Sequence, residues 1–141
     1  MYKKLLIYTD GGSRGNPGES AIGVYITDEA GKEVFSLGKT IGHATNNIAE
    51  YSAVLAAMTW LLENKDLFEK ETEIQFFMDS NLLYSQLVGL YKIKNLVLLE
   101  FIRKIHAKRN NLGITVSFAH IPREKNKKAD KLVNMALDNL L

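Results

Sequence analysis

Four acids in this 141-residue chain stand where an acid is awkward for structure and useful for chemistry: Asp10, Glu50, Asp79 and Asp130. Asp10 closes the apolar, β-rich run "KKLLIYTD", and Asp79 falls at the end of a second one, "EIQFFMDS". Glu50 and Asp130 lie in the first turns of segments with helical periodicity. If the two β-runs are parallel neighbours, their carboxylates project from one edge of a sheet, where ligand sites of open α/β sheets collect. Like charges gathered there need a cationic partner. The chain has no cysteine, so the ligands would all be oxygens, a set that suits Mg²⁺ or Mn²⁺ rather than zinc. Mg²⁺ keeps several waters and binds phosphate oxygens, which makes phosphodiester cleavage the natural chemistry. Each acid also has an ordinary reading. Asp10 before Gly-Gly suits a turn, Asp79-Ser80 a helix cap, Glu50 a dipole-favoured first turn, and Asp130 a surface partner of Lys127 or Lys131. Residue types and spacing leave both readings open.

The elements that would position these acids follow from periodicity. Residues 3–10 read as a central strand buried on both faces. Residues 20–41 read as two strands around the turn "DEAGK", and residues 45–64 as a helix capped by Thr45 or Asn46. In that helix Ile48, Tyr51, Leu55, Met58 and Leu62 recur at helical spacing. A fourth strand is expected over 73–80, with Ser80 capping a short helix over 81–90 that closes near Gly89. A longer helix over 95–111 carries Leu96, Leu99, Ile102 and Ile105 on one stripe and ends at Gly113. A fifth strand over 114–121 and a terminal helix over 126–141, with Asn126 as its cap, complete the chain. The order predicts one α/β domain over residues 1–141: a five-stranded mixed sheet, three strands as an antiparallel meander and the rest parallel, with about four helices.

Bulk properties agree with a globular domain, at 46% hydrophobic and 24% charged residues. No apolar run approaches the roughly 18 residues of a membrane span, and "MYKK" leads straight into a strand-like run. A monomeric, cytoplasmic protein with no membrane partner is therefore expected. The net charge of +2 is unevenly spread. Residues 1–91 carry 7 Lys/Arg against 12 Asp/Glu, and residues 92–141 carry 11 against 4. A basic final third suits a polyanion partner, and equally a solvated helix face.

Four motifs, "YTDGGSRGNPG", "ATNNIAEY", "MDS" and "REKNKKAD", closely resemble in order and spacing the type 1 ribonuclease H family, over nearly the whole chain. The resemblance implies a ribonuclease H-like fold. It also implies an endonuclease that hydrolyses the RNA strand of RNA–DNA hybrids with two divalent ions, Mg²⁺ or Mn²⁺ in its place, leaving 5′-phosphate and 3′-hydroxyl ends. Asp10, Glu50, Asp79 and Asp130 match the family's four metal-binding carboxylates. Gly11, Gly12, Ser13, Asn16 and Glu50 would meet 2′-hydroxyls, with the glycines leaving bare backbone for the approach. Asn46 and Asn47 would read the minor groove, Thr45 would meet a DNA phosphate, and Asn81 a base. Asn95, beside Lys92 and Lys94, would contact phosphate.

Two departures from the family pattern bear on function. "QLVGLYKIKN" passes straight through where some members insert a basic helix-and-loop protrusion, and no N-terminal hybrid-binding domain is expected. Many members also carry a mobile-loop histidine before the last aspartate. Counting back ten residues from Asp130 reaches His120. Aligning "ITVSFAHIPR" as a strand instead puts His120 inside it and Arg123 or Glu124 at the histidine's place, and the exit at Pro122 favours that alignment. A related integrase or resolvase core would not be expected to carry "DGGSRGNPG" and "TNN" together. A phosphate-binding loop would need Lys-Ser/Thr after the last glycine.

Overall fold

In the computed structural model, which describes residues 1–141, the first strand, β1 (Tyr2–Arg14), alternates along its length. Leu5, Ile7 and Thr9 are fully buried on one face, while Leu6 and Tyr8 are half-covered on the other. β1 is the middle strand of five, in the order β3-β2-β1-β4-β5. β2 (Gly18–Asp28) and β3 (Glu33–Ala44) continue from it as an antiparallel meander. β4 (Phe68–Met78) and β5 (Thr115–His120) lie parallel to it on the other side. This is the mixed sheet expected from the element order. The turn at residues 28–32 also forms as read, because the Asp28 carboxylate accepts the Ala30 and Lys32 N–H groups and Gly31 adopts a positive φ.

The helices are α1 (Asn46–Glu63), α2 (Asn81–Leu87), α3 (Leu96–Leu112) and α4 (Lys127–Leu137). α1 to α3 enclose a core of 20 buried residues against one sheet face, including Ile7, Tyr51, Met58, Phe76 and Ile105. α4 covers the other face through a far smaller cluster of Ala21, Val133 and Ala136. Burying one large apolar side chain is worth roughly 1.5–3 kcal/mol, so most of the fold's hydrophobic stabilisation lies on the α1–α3 side.

Two glycines bring the helices close. A Cβ at Gly11 would sit 2.2 Å from the Ala49 carbonyl carbon of α1. One at Gly23 would sit 2.2 Å from the Ala129 oxygen of α4. Helix α1 therefore fills the space where a side chain at residue 11 would stand.

Other boundaries move for identifiable reasons. β1 does not end at Asp10 but runs on to Arg14, because the glycine-rich stretch pairs with β2 from Asp10↔Gly23 to Arg14↔Glu19. Only the parallel pairing to β4 stops earlier, at Tyr8↔Phe77. β4 starts at Phe68, five residues before the expected 73, and reaches only Met78, so Asp79 lies just beyond it. α2 and α4 end at Leu87 and Leu137 rather than at 90 and 141. In α1 the fully buried positions are Ala49, Tyr51, Ala53, Val54, Ala57, Met58 and Leu61, so its core face is built largely of alanines beside the expected stripe. In α3, Leu96 is 80% exposed and Leu98 is buried in its stead. No helix intervenes between α2 and α3, as the missing protrusion implied. No helix is long and apolar enough to cross a membrane.

Candidate active site

At the edge where β1 parts from β4, the chain brings three carboxylates together. One oxygen each from Asp10, Glu50 and Asp79 lies within 4.8 Å of the others. Asp10 comes from β1 on the α4 side of the sheet, since Gly12, two residues on, faces Val133 of α4. Glu50 comes from the second turn of α1. That helix starts where it does because the Thr45 hydroxyl accepts the Ile48 N–H at 3.2 Å. Asp79 is fixed by the step from β4 into α2, whose first turn is capped by Ser80, its hydroxyl accepting the Leu83 N–H at 3.2 Å. Asp130, in the first turn of α4, flanks the trio and is exposed, and its charge acts on Asp10.

The electrostatics of this cluster are unfavourable as they stand. Burial first, then the charges of Asp79 and Asp130, push the Asp10 carboxyl up to about 7. Burial followed by the charges of Asp10 and Asp79 raises Glu50 well above its ordinary range. The nearby Gly11 backbone N–H opposes these shifts without cancelling them. Glu50 Oε2 is buried with no hydrogen-bond partner. The structure's two salt bridges are Arg14–Asp138 and Arg103–Glu100, so no protein cation is paired with the cluster. An orphaned carboxylate oxygen among crowded carboxylates is what a divalent-cation site built from oxygen donors requires.

The carboxylates line a cleft of about 400 Å³ together with Gly11, Gly12, Ser13, Arg14, Asn46, Asn47, Ser80, Arg123 and Asn134. Its glycine-rich wall is stitched to α1. Ser13 N–H donates to Asn46 Oδ1 at 2.9 Å, and Asn46 N–H donates to Asn16 Oδ1 at 3.0 Å. The single Ser13 hydroxyl hydrogen is shared between the Gly15 carbonyl and, at 3.0 Å, that of Ala44. Thr45 takes the helix cap, and Asn47 is exposed in the cleft.

Several expected contacts lie outside this cleft. Asn81 begins α2, is exposed and does not line it; Lys92 and Lys94 are exposed on the segment between α2 and α3. Asn95 caps α3, accepting the Val97 and Leu98 N–H groups at 2.9 and 3.2 Å. His120 ends β5 in register with Met78, as the strand alignment has it, and its Nε2 lies 3.2 Å from the Asp79 carbonyl oxygen. Of the two residues that alignment offered for the histidine's place, only Arg123 lines the carboxylate cleft. Glu124 lines a separate pocket with Tyr8 and Tyr25, because the short 3₁₀ turn at 123–125 sends successive side chains apart. Nothing in the sequence singles out Arg14, which pairs with Asp138 at 2.6 Å, or Asn134, which donates to the Asp130 carbonyl at 3.1 Å. Asn126 stands at the N-cap of α4 as its type suggested, but its side chain makes no capping bond. It donates instead to the Thr9 carbonyl at 2.9 Å and to Asp79 Oδ2 at 3.0 Å.

The family model described as "Reverse transcriptase-like" matches residues 8–136. The Ribonuclease H of Clostridium botulinum is 32% identical, with 96% of this chain and 97% of that protein aligned. The chain belongs to the type 1 ribonuclease H family. Ribonuclease HI of Halobacterium salinarum is 39% identical over 94% of this chain. The structure of LC11-RNase H1, solved in complex with an RNA/DNA hybrid, superposes with a TM-score of 0.89 at 43% identity, covering 96% of this chain and 97% of that one. The chain spans 63% of the length of the Halobacterium ribonuclease and 36% of the Bifunctional protein Rv2228c of Mycobacterium tuberculosis, to which it is 34% identical.

Proposed function

We propose that this chain is an endonuclease hydrolysing the RNA strand of RNA–DNA hybrids with two divalent ions, Mg²⁺ or Mn²⁺, leaving 5′-phosphate and 3′-hydroxyl ends. The observation that carries this reading is the meeting of Asp10, Glu50 and Asp79 within 4.8 Å, with Glu50 Oε2 buried and unpartnered. Asp10, Glu50, Asp79 and Asp130 would hold the ions. Bound ions of this kind neutralise a phosphate and lower the pKa of a water that attacks it.

The remaining residues act on the nucleic acid. Asn47, exposed in the cleft, presents an amide to base edges, and Asn46 is held beside it by Ser13 and Asn16. Gly12 and Ser13 form the wall nearest Asp10, where a 2′-hydroxyl distinguishes RNA from DNA. Arg123 supplies a positive charge to the scissile strand's phosphates from the rim. Lys92 and Lys94, outside the cleft, extend the contact along the backbone.

The test is cleavage of labelled RNA–DNA hybrid, double-stranded RNA and single-stranded RNA, with Mg²⁺ and Mn²⁺ in turn. Internal cuts confined to the RNA of the hybrid, abolished by chelation, are expected. Equal cutting of all three substrates, or cutting that survives chelation, rejects the reading.

A further inference from the structure

Asn126 is 1% exposed, although its neighbours Glu124, Lys125, Lys127 and Lys128 are all exposed. Both hydrogens of its side-chain amide are spent, one on the Thr9 carbonyl at 2.9 Å and one on Asp79 Oδ2 at 3.0 Å. This orientation is dictated by its partners: turning the amide over would set Oδ1 against two acceptors. It is kept even though Oδ1 is left buried and unpartnered. The main chain of the same residue anchors the next element, since its carbonyl accepts the Asp130 N–H at 3.1 Å. One residue therefore touches the peptide preceding Asp10, the carboxylate of Asp79 and the first turn that carries Asp130.

We propose that Asn126 is a positioning residue that sets the spacing of these three carboxylates and leaves Asp79 only Oδ1 for a metal ion. The proposal rests on the metal-ion reading above. By occupying Oδ2, the amide fixes the Asp79 carboxylate in one rotation and makes it a one-oxygen ligand. By holding the Thr9 carbonyl, it ties α4 to β1 at the point where β1 leaves β4. Groups that orient a metal ligand in this way commonly change metal affinity by about 10- to 100-fold when removed.

The experiment measures Mg²⁺ binding to the folded protein by calorimetry without nucleic acid, comparing wild type with Asn126→Leu and Asn126→Ala. The leucine keeps the forked shape of the asparagine without its amide but is bulkier, and the alanine removes the amide without adding bulk. Both variants are expected to weaken Mg²⁺ binding about tenfold or more, while the KM for hybrid at saturating Mg²⁺ stays within about twofold of wild type. A residue with a purely structural role would lower the melting temperature and leave the Mg²⁺ Kd of the folded protein unchanged; that result overturns the proposal. A second measurement needs no variant. In wild type, the Asn126 side-chain amide resonances should shift through a Mg²⁺ titration with the midpoint seen by calorimetry, and resonances that stay fixed to saturation also overturn it. The two readings fail separately. Wild type that binds no Mg²⁺ rejects the metal site itself, whereas equal binding by wild type and Asn126→Leu rejects only the role of Asn126.

Discussion

Asp10 is 8% exposed and, by burial first and then the charges of two further carboxylates, has its pKa pushed up to about 7. In the unfolded chain the same group titrates near 3.8. Between those values the folded protein holds more protons on Asp10 than the unfolded chain does, so this group makes stability fall as pH rises. Metal-free protein is therefore expected to lose melting temperature from pH 5 to about 7. Saturating Mg²⁺ should restore it above that range, by about 2.7 kcal/mol at a hundredfold excess over Kd. Thermal scans with chelator and with Mg²⁺ across this range check it; parallel curves would dissociate the shift from the metal. Asp10→Asn and Asp79→Asn should both abolish cleavage. Because Asp10→Asn also removes a buried charge, its chelated form should melt no lower than wild type at pH 8, while its Mg²⁺-dependent gain disappears. Near wild-type cleavage by either variant would be incompatible with their proposed role as ligands.

Among the elements, adjacent glycines of one strand do different work. Gly11 meets the backbone of α1, which cannot move aside as a side chain can, whereas a Cβ at Gly12 would lie 3.4 Å from a Val133 methyl. Gly11→Ala is expected to destabilise by about 3 kcal/mol, at the upper end for overpacking, and to displace Glu50. Gly12→Ala should fold with nearly the wild-type melting temperature. Similar melting temperatures for the two would mean that α1 is not seated on Gly11. This division explains what could be read in advance. The order of elements, the parallel pair carrying Asp10 and Asp79, and the caps at Thr45 and Ser80 follow from local pattern. That "DGGSR" continues as strand does not, because glycine's local preference for turns yields to a ladder with β2 that only the assembled sheet supplies. Asn126 is legible only as a cap for the same reason, since its partners Thr9 and Asp79 lie 117 and 47 residues away.

Across the whole molecule, the excess of basic residues from 92 onward is distributed over the α2–α3 connection, α3 and α4. Without a protrusion between α2 and α3, the proposed binding of hybrid would rest on these charges and should be steeply salt-dependent. Replacing Lys92 and Lys94 together by alanine is expected to lower the slope of log K against log salt by about two, roughly one for each phosphate no longer neutralised. Anisotropy titrations of labelled hybrid at several salt concentrations give that slope. An unchanged slope would assign these lysines to solvation alone.

The uneven division of apolar packing between the two sheet faces also bears on how the molecule fails. α4 is held by the small cluster of Ala21, Val133 and Ala136, by Ala129 seated on Gly23, by the Asn126 hydrogen bonds and by the Arg14–Asp138 pair, whereas α1 to α3 share the core of 20. Local opening follows the least-packed unit. α4 should therefore detach on warming while the rest of the fold persists, withdrawing Asp130 and Asn126 together. Cleavage should then cease several degrees below the calorimetric transition, and amide hydrogens of α4 should exchange ahead of those in α1. Helix α4 would act as a thermal fuse, taking the carboxylate site apart before its scaffold melts.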